Sequence, residues 1–242
     1  MKILITNDDG IGAEALPHLA AWAKRYGDVT VVAPKTEQSG KSQAIDFHRE
    51  IEIKEVPLLE GVRAYAMDST PADCVRFGIL GLGEQYDLVL SGINNGYNLG
   101  HDIVYSGTVG AIFEAYRLGV KAIALSKHRT DALGPVMQGL DEVFAFIEEH
   151  GLLEKHGLYN VNIPEENRGI RITRQGGVFY TDGFEYRGND RYIQVGDPYQ
   201  KEVLDIAYDT DAIWEKYISI SPLTIERTDM NVFAALQGLE KV

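Results

Sequence analysis

Short apolar runs alternate with amphipathic stretches along the first two thirds of the chain. The apolar runs show little alternation, which is typical of strands that are covered on both faces of a sheet. The stretches between them place apolar side chains on one helical face. Such alternation predicts a mostly parallel, doubly wound α/β sheet. Strands are expected at residues 2–6, 29–33, 87–91 and 120–125, and helices at about residues 13–26, 106–118 and 131–150.

The pattern changes beyond residue 165. Residues 170–195 are rich in Gly, Tyr, Arg and Asp and alternate in the manner of β-hairpins. We therefore expect a core followed by a C-terminal extension with a role in oligomerisation. The predicted parts are a core at 1–165 and an extension at 166–242, which contains a hairpin arm at about 176–215, a closing strand at 216–225 and a final helix from Asp229.

Composition and charge narrow the classes of function. The 242 residues carry a formal net charge of −13, which disfavours binding to a nucleic-acid polymer. No apolar run approaches the roughly 18 residues of a membrane span, so no membrane association is expected. The single cysteine, Cys74, cannot form an intramolecular disulfide, and it is interpreted as a buried thiol rather than a nucleophile. These features predict a cytoplasmic protein.

Two adjacent carboxylates, Asp8 and Asp9, follow the first predicted strand. Ligands of open α/β sheets bind at the carboxyl ends of the strands. Two like charges are costly to bury there unless a cation neutralises them, and hard oxygen ligands suit Mg²⁺, Mn²⁺ or Ca²⁺. The alternative is an Asp turn that caps the following helix.

Two polar loops follow other strands. The loop at 37–42 resembles part of a phosphate-binding loop but lacks the full spacing of one, and Ser39 could offer a hydroxyl to a metal. The alternative is a flexible loop. The loop at 91–100 holds three Asn and three Gly, including Asn94 and Asn98, and could supply neutral oxygens and amide donors. Its alternative is a simple turn.

A fourth motif, Tyr105-Ser106-Gly107-Thr108, opens a predicted helix. Free N–H groups at a helix start bind anions, helped by the helix dipole. The alternative is that Ser106 only caps the helix, since an ordinary helix cap would have the same sequence. Histidines at positions 48, 101 and 128 are expected on surface loops. The motifs together predict carboxylates, hydroxyls, amides and a helix N-terminus at one sheet edge.

These motifs resemble those of the SurE family, the survival-protein 5′-nucleotidases. The resemblance is carried by NDDG, VVAP with a following SG, STPADC, SGIN-x-G-x-N-x-G and YSGTVGA, and more weakly by YNVNIP and ISISPL. It implies a Rossmann-like catalytic core and catalytic roles for Asp8 and Asp9. It implies metal ligation by Asp8, Asp9, Ser39 and Asn94, and phosphate binding by Asn98, Ser106, Gly107 and Thr108.

The resemblance also implies one divalent cation per subunit, Mn²⁺ or Mg²⁺. The expected reaction is hydrolysis of 5′-nucleotides, with 3′-nucleotides and short polyphosphate as further substrates, in a homodimer or homotetramer. Attack by a water activated by the metal and Asp8 is favoured over attack by a carboxylate. Two alternatives stay open: a non-catalytic nucleotide sensor and a nucleotide- or sugar-transferring enzyme in which Glu37 binds ribose.

Overall fold

The computed structural model describes residues 1–237 and 239. A nine-stranded sheet with helices on both faces forms the centre of the molecule, and a two-stranded hairpin projects from it. The strands are β1 Lys2–Thr6, β2 Asp28–Pro34, β3 Ile53–Glu55, β4 Arg63–Met67, β5 Leu88–Asn95, β6 Lys121–Lys127, β7 Leu158–Asn162, β8 Ile170–Ile172, β9 Gly183–Tyr186, β10 Tyr192–Val195 and β11 Ile218–Pro222. The α-helices are α1 Ala15–Ala23, α2 Pro71–Arg76, α3 Gly107–Arg117, α4 Leu133–His150, α5 Leu152–Lys155, α6 Asp209–Trp214 and α7 Met230–Leu236.

The strand order is β3-β4-β2-β1-β5-β6-β7-β11-β8. Strands β4, β2, β1, β5, β6 and β7 are parallel, while β3 and β11 pair antiparallel with β4 and β7. The predicted mostly parallel sheet with a C-terminal hairpin is therefore confirmed. The chain passes from β1 to one side of the sheet and later crosses to β5 on the other side. A crevice for a ligand is expected where the loops after β1 and β5 diverge.

The core explains why the strands lack alternation. Ile3 and Ile5 pack on the face covered by α1 and α4, whereas Leu4 packs on the face covered by α2 and α3. Both faces of β1 are therefore shielded from solvent, and apolar residues are favoured at every position of the strand. The first helix is shorter than predicted, Ala15–Ala23 rather than 13–26.

Two helices begin at residues whose side chains cap them. The Thr70 hydroxyl accepts a hydrogen bond from the backbone N–H of Asp73 at the start of α2. The Ser106 hydroxyl accepts one from the N–H of Val109 at the start of α3. Both side chains satisfy a donor that the helix itself leaves free. The polar motif at 105–108 thus fixes the position of the helix N-terminus.

The C-terminal extension shares the main sheet with the preceding residues. Strand β11 pairs with β7, and β8 pairs with β11. Strands β9 and β10 form the separate hairpin. The division of the chain at residue 165 stays a prediction. No helix in the described part of the chain is long and apolar enough to cross a membrane.

Candidate functional site

A cleft of about 530 Å³ lies at the carboxyl ends of β1, β2 and β5. It occupies the crevice that the strand order predicts, because β1 and β5 are neighbours whose following loops diverge. Most of the residues singled out in the sequence line it, namely Asp8, Asp9, Ser39, Asn94, Asn98 and Ser106.

Asp8 is the most enclosed acid of the cleft, with 4% of its surface exposed. Its Oδ1 accepts a hydrogen bond of 2.6 Å from the Thr108 hydroxyl, and its Oδ2 accepts one of 3.3 Å from the Thr108 backbone N–H. Burial, reinforced by repulsion from Asp9, nevertheless raises the pKa of Asp8 to about 6. The two donors of Thr108 therefore do not fully compensate the buried charge.

Gly107 allows Asp8 to approach helix α3 closely. A Cβ at position 107 would lie 3.0 Å from the Cβ of Asp8 and 3.3 Å from the Gln38 carbonyl oxygen. Any side chain there would push the acid and the helix start apart. Gly107 and Thr108 thus lie directly behind Asp8, and the fully buried Thr108 hydroxyl faces the carboxylate.

Asp9 lies half-buried beside Asp8, and its Oδ2 accepts a hydrogen bond of 3.1 Å from the Asn95 backbone N–H. Burial raises the pKa of its carboxyl, with a further contribution from Glu37 that Lys127 and Arg129 oppose. The end of β5 therefore holds the second acid of the pair.

Strand β5 extends to Asn95 rather than ending at residue 91 as predicted, and the two asparagines at its end have different surroundings. Asn95 accepts a hydrogen bond at its Oδ1 from the buried Lys127 ammonium, 2.9 Å away. The Asn94 Nδ2 donates to the Gly96 carbonyl, 2.7 Å away, so the group that Asn94 can offer a cation is its Oδ1. The Asn95 oxygen is already engaged by a cation, which favours Asn94 as the metal ligand.

Ser39 lies on the loop after β2 and lines the same cleft as the acids. The Gln38 N–H donates to the Asp8 carbonyl at 2.7 Å, and the Ser42 N–H donates to the Tyr105 carbonyl at 2.9 Å. These two bonds fix the loop between β1 and the start of α3. The Ser39 hydroxyl donates to a Glu37 carboxylate oxygen at 2.6 Å, so its own oxygen retains lone pairs that can bind a cation.

Side chains of neighbouring strands hold Asn98 in place by hydrogen bonds. Its N–H donates to the Asn162 Oδ1 at 2.9 Å, and its Nδ2 donates to the Ser126 hydroxyl at 2.8 Å. The Asn160 and Asn162 side chains both donate to its carbonyl. This network fixes the loop that follows β5 and carries Asn98.

The donor set fits a hard dication. It consists of two carboxylates with raised pKa values, one hydroxyl and one amide oxygen, all on the wall of one cleft. Oxygen ligands of this kind suit Mg²⁺ or Mn²⁺, whose remaining ligands are usually water or substrate oxygens. Among residues 1–237 and 239, no three His, Cys, Asp or Glu side chains form a metal-binding cluster, so such a site depends on Ser39 and Asn94.

The sequence did not identify Asp102, Arg129 and Tyr180 as residues of the cleft. Tyr97, Tyr105, Gly40 and Gly96 also line it and lie within the predicted loops and the fourth motif, but no role was predicted for them. Arg129 follows β6, so the rule that ligands bind at strand ends could have identified it. Tyr180 lies in the irregular segment between β8 and β9, where no such rule applies. Cys74 is fully buried, and burial raises the pKa of its thiol.

Comparison with known proteins gives consistent similarities over almost the whole chain. The family model described as "Survival protein SurE" matches residues 3–182. The chain is 39% identical over 248 residues to a "5′-nucleotidase SurE" of Thermoanaerobacter sp. (strain X514), covering 98% of each chain. It is 37% identical over 260 residues to a protein of the same name from Synechococcus sp. (strain JA-3-3Ab), covering 100% of this chain and 97% of the other. The solved SurE protein of Aquifex aeolicus superposes with a TM-score of 0.83 at 31% identity, covering 100% of both chains.

Proposed function

Since the chain belongs to the SurE family, we propose that it is a metal-dependent phosphatase that hydrolyses nucleoside 5′-monophosphates to nucleoside and inorganic phosphate. The observation that carries the proposal is the buried Asp8 carboxylate beside Asp9, with Ser39 and Asn94 on the same cleft wall. The acids have no basic side chain paired with them by a salt bridge in the described residues, which leaves their charge for a cation. The curated relatives, which are named as 5′-nucleotidases, support the substrate class.

Asp8, Asp9, the Ser39 hydroxyl and the Asn94 Oδ1 are the proposed metal ligands. A bound Mn²⁺ or Mg²⁺ would supply Lewis-acid polarisation of a phosphoryl oxygen and offset its negative charge. One cation per chain satisfies this donor set.

The protein's own groups then position the reactants. Asp8 orients the attacking water and accepts its proton at Oδ2, the oxygen that receives the longer of the two hydrogen bonds from Thr108. A new P–O bond forms from the water oxygen as the bond from phosphorus to the ribose oxygen breaks. The proton finally neutralises the leaving alkoxide, which gives nucleoside and phosphate.

The remaining phosphate oxygens are proposed to meet Asn98, Ser106 and the start of α3, where the positive end of the helix dipole favours anions. Gly107 and Thr108 belong to that helix start. Arg129 is the one cationic side chain among the described residues that line the cleft. In a protein with a net charge of −13, it supplies local attraction for an incoming phosphate.

Phosphate release from a panel of esters tests the proposed function. We expect 5′-nucleotides to be hydrolysed with Mn²⁺ or Mg²⁺ present, and the panel should include 3′-nucleotides and short polyphosphate, the further substrates suggested by the family. A nucleotide sensor would bind nucleotides but release no phosphate. A transferase would consume nucleotide only with an added acceptor. Either of those outcomes would contradict the proposal.

Replacing Thr108 with valine removes the hydroxyl that contacts Asp8 and keeps the side-chain shape. Hydrogen bonds to charged groups contribute about 1.5–3 kcal/mol, so we expect kcat for phosphate release to fall by about 10- to 100-fold. Initial rates at saturating metal and nucleotide measure this. Thr228→Val, at an exposed site outside the cleft, serves as the matched control. A wild-type kcat in Thr108→Val would show that the hydroxyl does not position Asp8.

We also propose that the protein forms oligomers through apolar surfaces on the hairpin and on α7. The hairpin exposes Phe184, Tyr186, Tyr192 and Ile193, and helix α7 exposes Met230, Val232, Phe233 and Leu236. Exposed apolar patches of this kind are typical of protein interfaces. They support the homodimer or homotetramer that the family resemblance implies.

A further inference from the structure

The proposed metal ligand Ser39 lies on an exposed stretch of the loop between β2 and β3. Ser39, Gly40 and Lys41 are all exposed. Among the described residues, the Ser39 side chain has one hydrogen-bond partner, Glu37 of the same loop. A hydroxyl on a freely moving loop loses conformational freedom when it binds an ion, so such a ligand is effective only if its loop is already fixed. The contacts that fix this stretch must therefore lie on either side of it.

The loop is attached on both sides of the exposed stretch. Before it, the Gln38 N–H donates to the Asp8 carbonyl. After it, the Ser42 N–H donates to the Tyr105 carbonyl, and the Ser42 hydroxyl donates to the Val104 carbonyl at 2.8 Å. Ser42 has a φ of 56°, in the left-handed region that residues other than glycine rarely adopt. Its two hydrogen bonds hold a backbone conformation that is unfavourable by itself, so Ser42 is a defined point of attachment.

Helix α3 allows the loop backbone to approach closely at Gly110. A Cβ at position 110 would lie 2.2 Å from the Ser42 carbonyl oxygen and 2.7 Å from the Gln43 backbone nitrogen. The loop backbone therefore rests directly on the helix whose first turn contacts Asp8 through Thr108.

Glu114 lies one turn further along α3 and binds the loop through Gln43. The Gln43 Nε2 donates to the Glu114 Oε2 at 3.0 Å. Glu114 is buried, with 2% of its surface exposed, and its Oε1 accepts hydrogen bonds from Arg76 at 2.8 Å and from Arg117 at 2.6 Å. Burial opposes its charge, but the hydrogen bonds from Arg117, Arg76 and Gln43 outweigh this effect and lower its pKa. Gln43 is thus bound to a charged group that two arginines hold in place, and hydrogen bonds of this kind are strong.

We propose that Gln43, held by the buried Glu114, is a positioning residue for the metal site, because it fixes the loop that presents the Ser39 hydroxyl to the cation. The inference rests on the proposed function, since it takes Ser39 as a metal ligand together with Asp8 and Asp9. Gln43 and Glu114 lie outside the cleft that these acids line, so they act on the cation through the loop.

Isothermal titration of Mn²⁺ into metal-free protein tests the role of Gln43. Gln43→Leu removes the amide and keeps a side chain of similar size. We expect the Kd for Mn²⁺ to rise about tenfold, as is typical when a group that supports a metal ligand is lost. Gln138→Leu, at an exposed position of α4, is the matched control and should keep the wild-type Kd. Thermal melts check folding, and an unchanged Kd in folded Gln43→Leu would overturn the proposal.

The same substitution in a Ser39→Ala protein shows whether Gln43 acts through Ser39. In that background the hydroxyl is already absent, so Gln43→Leu should change the Kd for Mn²⁺ by less than about twofold. A tenfold rise in both backgrounds would show that Gln43 affects the cation by another route, and it would overturn the positioning role.

Cleavage by trypsin after Lys41 reports on the loop without any metal. Lys41 is exposed between Ser39 and Ser42, and cleavage requires the loop to leave α3. We expect Gln43→Leu to be cleaved there about tenfold faster than the wild type, because one hydrogen bond to a charged group is lost. Gln138→Leu should be cleaved at the wild-type rate. Equal rates for Gln43→Leu and the wild type would contradict the proposal.

The two proposals fail in different ways. If the wild type takes up no Mn²⁺, the metal-dependent function is contradicted, and the positioning role with it. If the wild type binds Mn²⁺ and folded Gln43→Leu binds it equally well, only the positioning role of Gln43 is wrong.

Discussion

Replacing Asp8 with asparagine is expected to lower kcat for phosphate release by about a thousandfold, within the range that a positioned general base contributes. The substitution removes a proposed metal ligand and the carboxylate proposed to accept the proton of the attacking water. It leaves the volume of the side chain almost unchanged. The rate of phosphate release at saturating metal and nucleotide measures the effect.

The Asp8→Asn protein should remain folded. Asparagine can still accept the hydrogen bond of the Thr108 hydroxyl at Oδ1. It loses the longer bond from the Thr108 N–H but removes a charge whose burial is unfavourable. We therefore expect a Tm close to that of the metal-free wild type. Asp190→Asn, in the exposed turn of the hairpin, is the matched control and should keep the wild-type rate. A folded Asp8→Asn protein with wild-type turnover would contradict the assignment of Asp8.

Removing divalent cations is expected to have the second large effect. After dialysis against EDTA, phosphate release should fall by at least about a hundredfold, because Lewis-acid stabilisation of the transition state contributes several kcal/mol. Adding back Mn²⁺ or Mg²⁺ in excess of the chelator should restore it. The rate should also fall because the charges of Asp8 and Asp9 repel the phosphate when no cation is bound.

EDTA that has been saturated with Mg²⁺ beforehand is the control for that experiment. It should leave the rate unchanged at the same chelator concentration. Full activity after exhaustive removal of metal would show that the acidic pair works without a cation, and the proposed ligand roles of Ser39 and Asn94 would then be wrong.

Much of the fold follows from the hydrophobic pattern. Ile3, Leu4 and Ile5 are all apolar because helices cover both faces of β1, and this pattern is enough to predict a parallel sheet. The extension is harder to interpret. Strands β8 and β11 are short, and their pairing joins segments that lie about fifty residues apart, so no local pattern reports that they complete the main sheet.

Some residues of the candidate site could likewise be predicted from the sequence, and others could not. Asp8 and Asp9 could be found because they follow β1, and Asn94 because it lies at the end of β5; strand ends meet at one edge of a parallel sheet. The direction of the Thr108 side chain could not be predicted, since it depends on how closely α3 approaches β1 over Gly107. Tyr180 was missed because an irregular segment brings it to the cleft from more than eighty residues beyond Asn94.

The central claim is that Asp8 and Asp9 together hold a dication. Isothermal titration of Mn²⁺ into metal-free protein tests it most directly, with the Asp8→Asn, Asp9→Asn double variant beside the wild type. The account predicts saturable uptake of about one ion per chain by the wild type and none by a folded double variant. No uptake by the wild type, or equal uptake by both proteins, would contradict it.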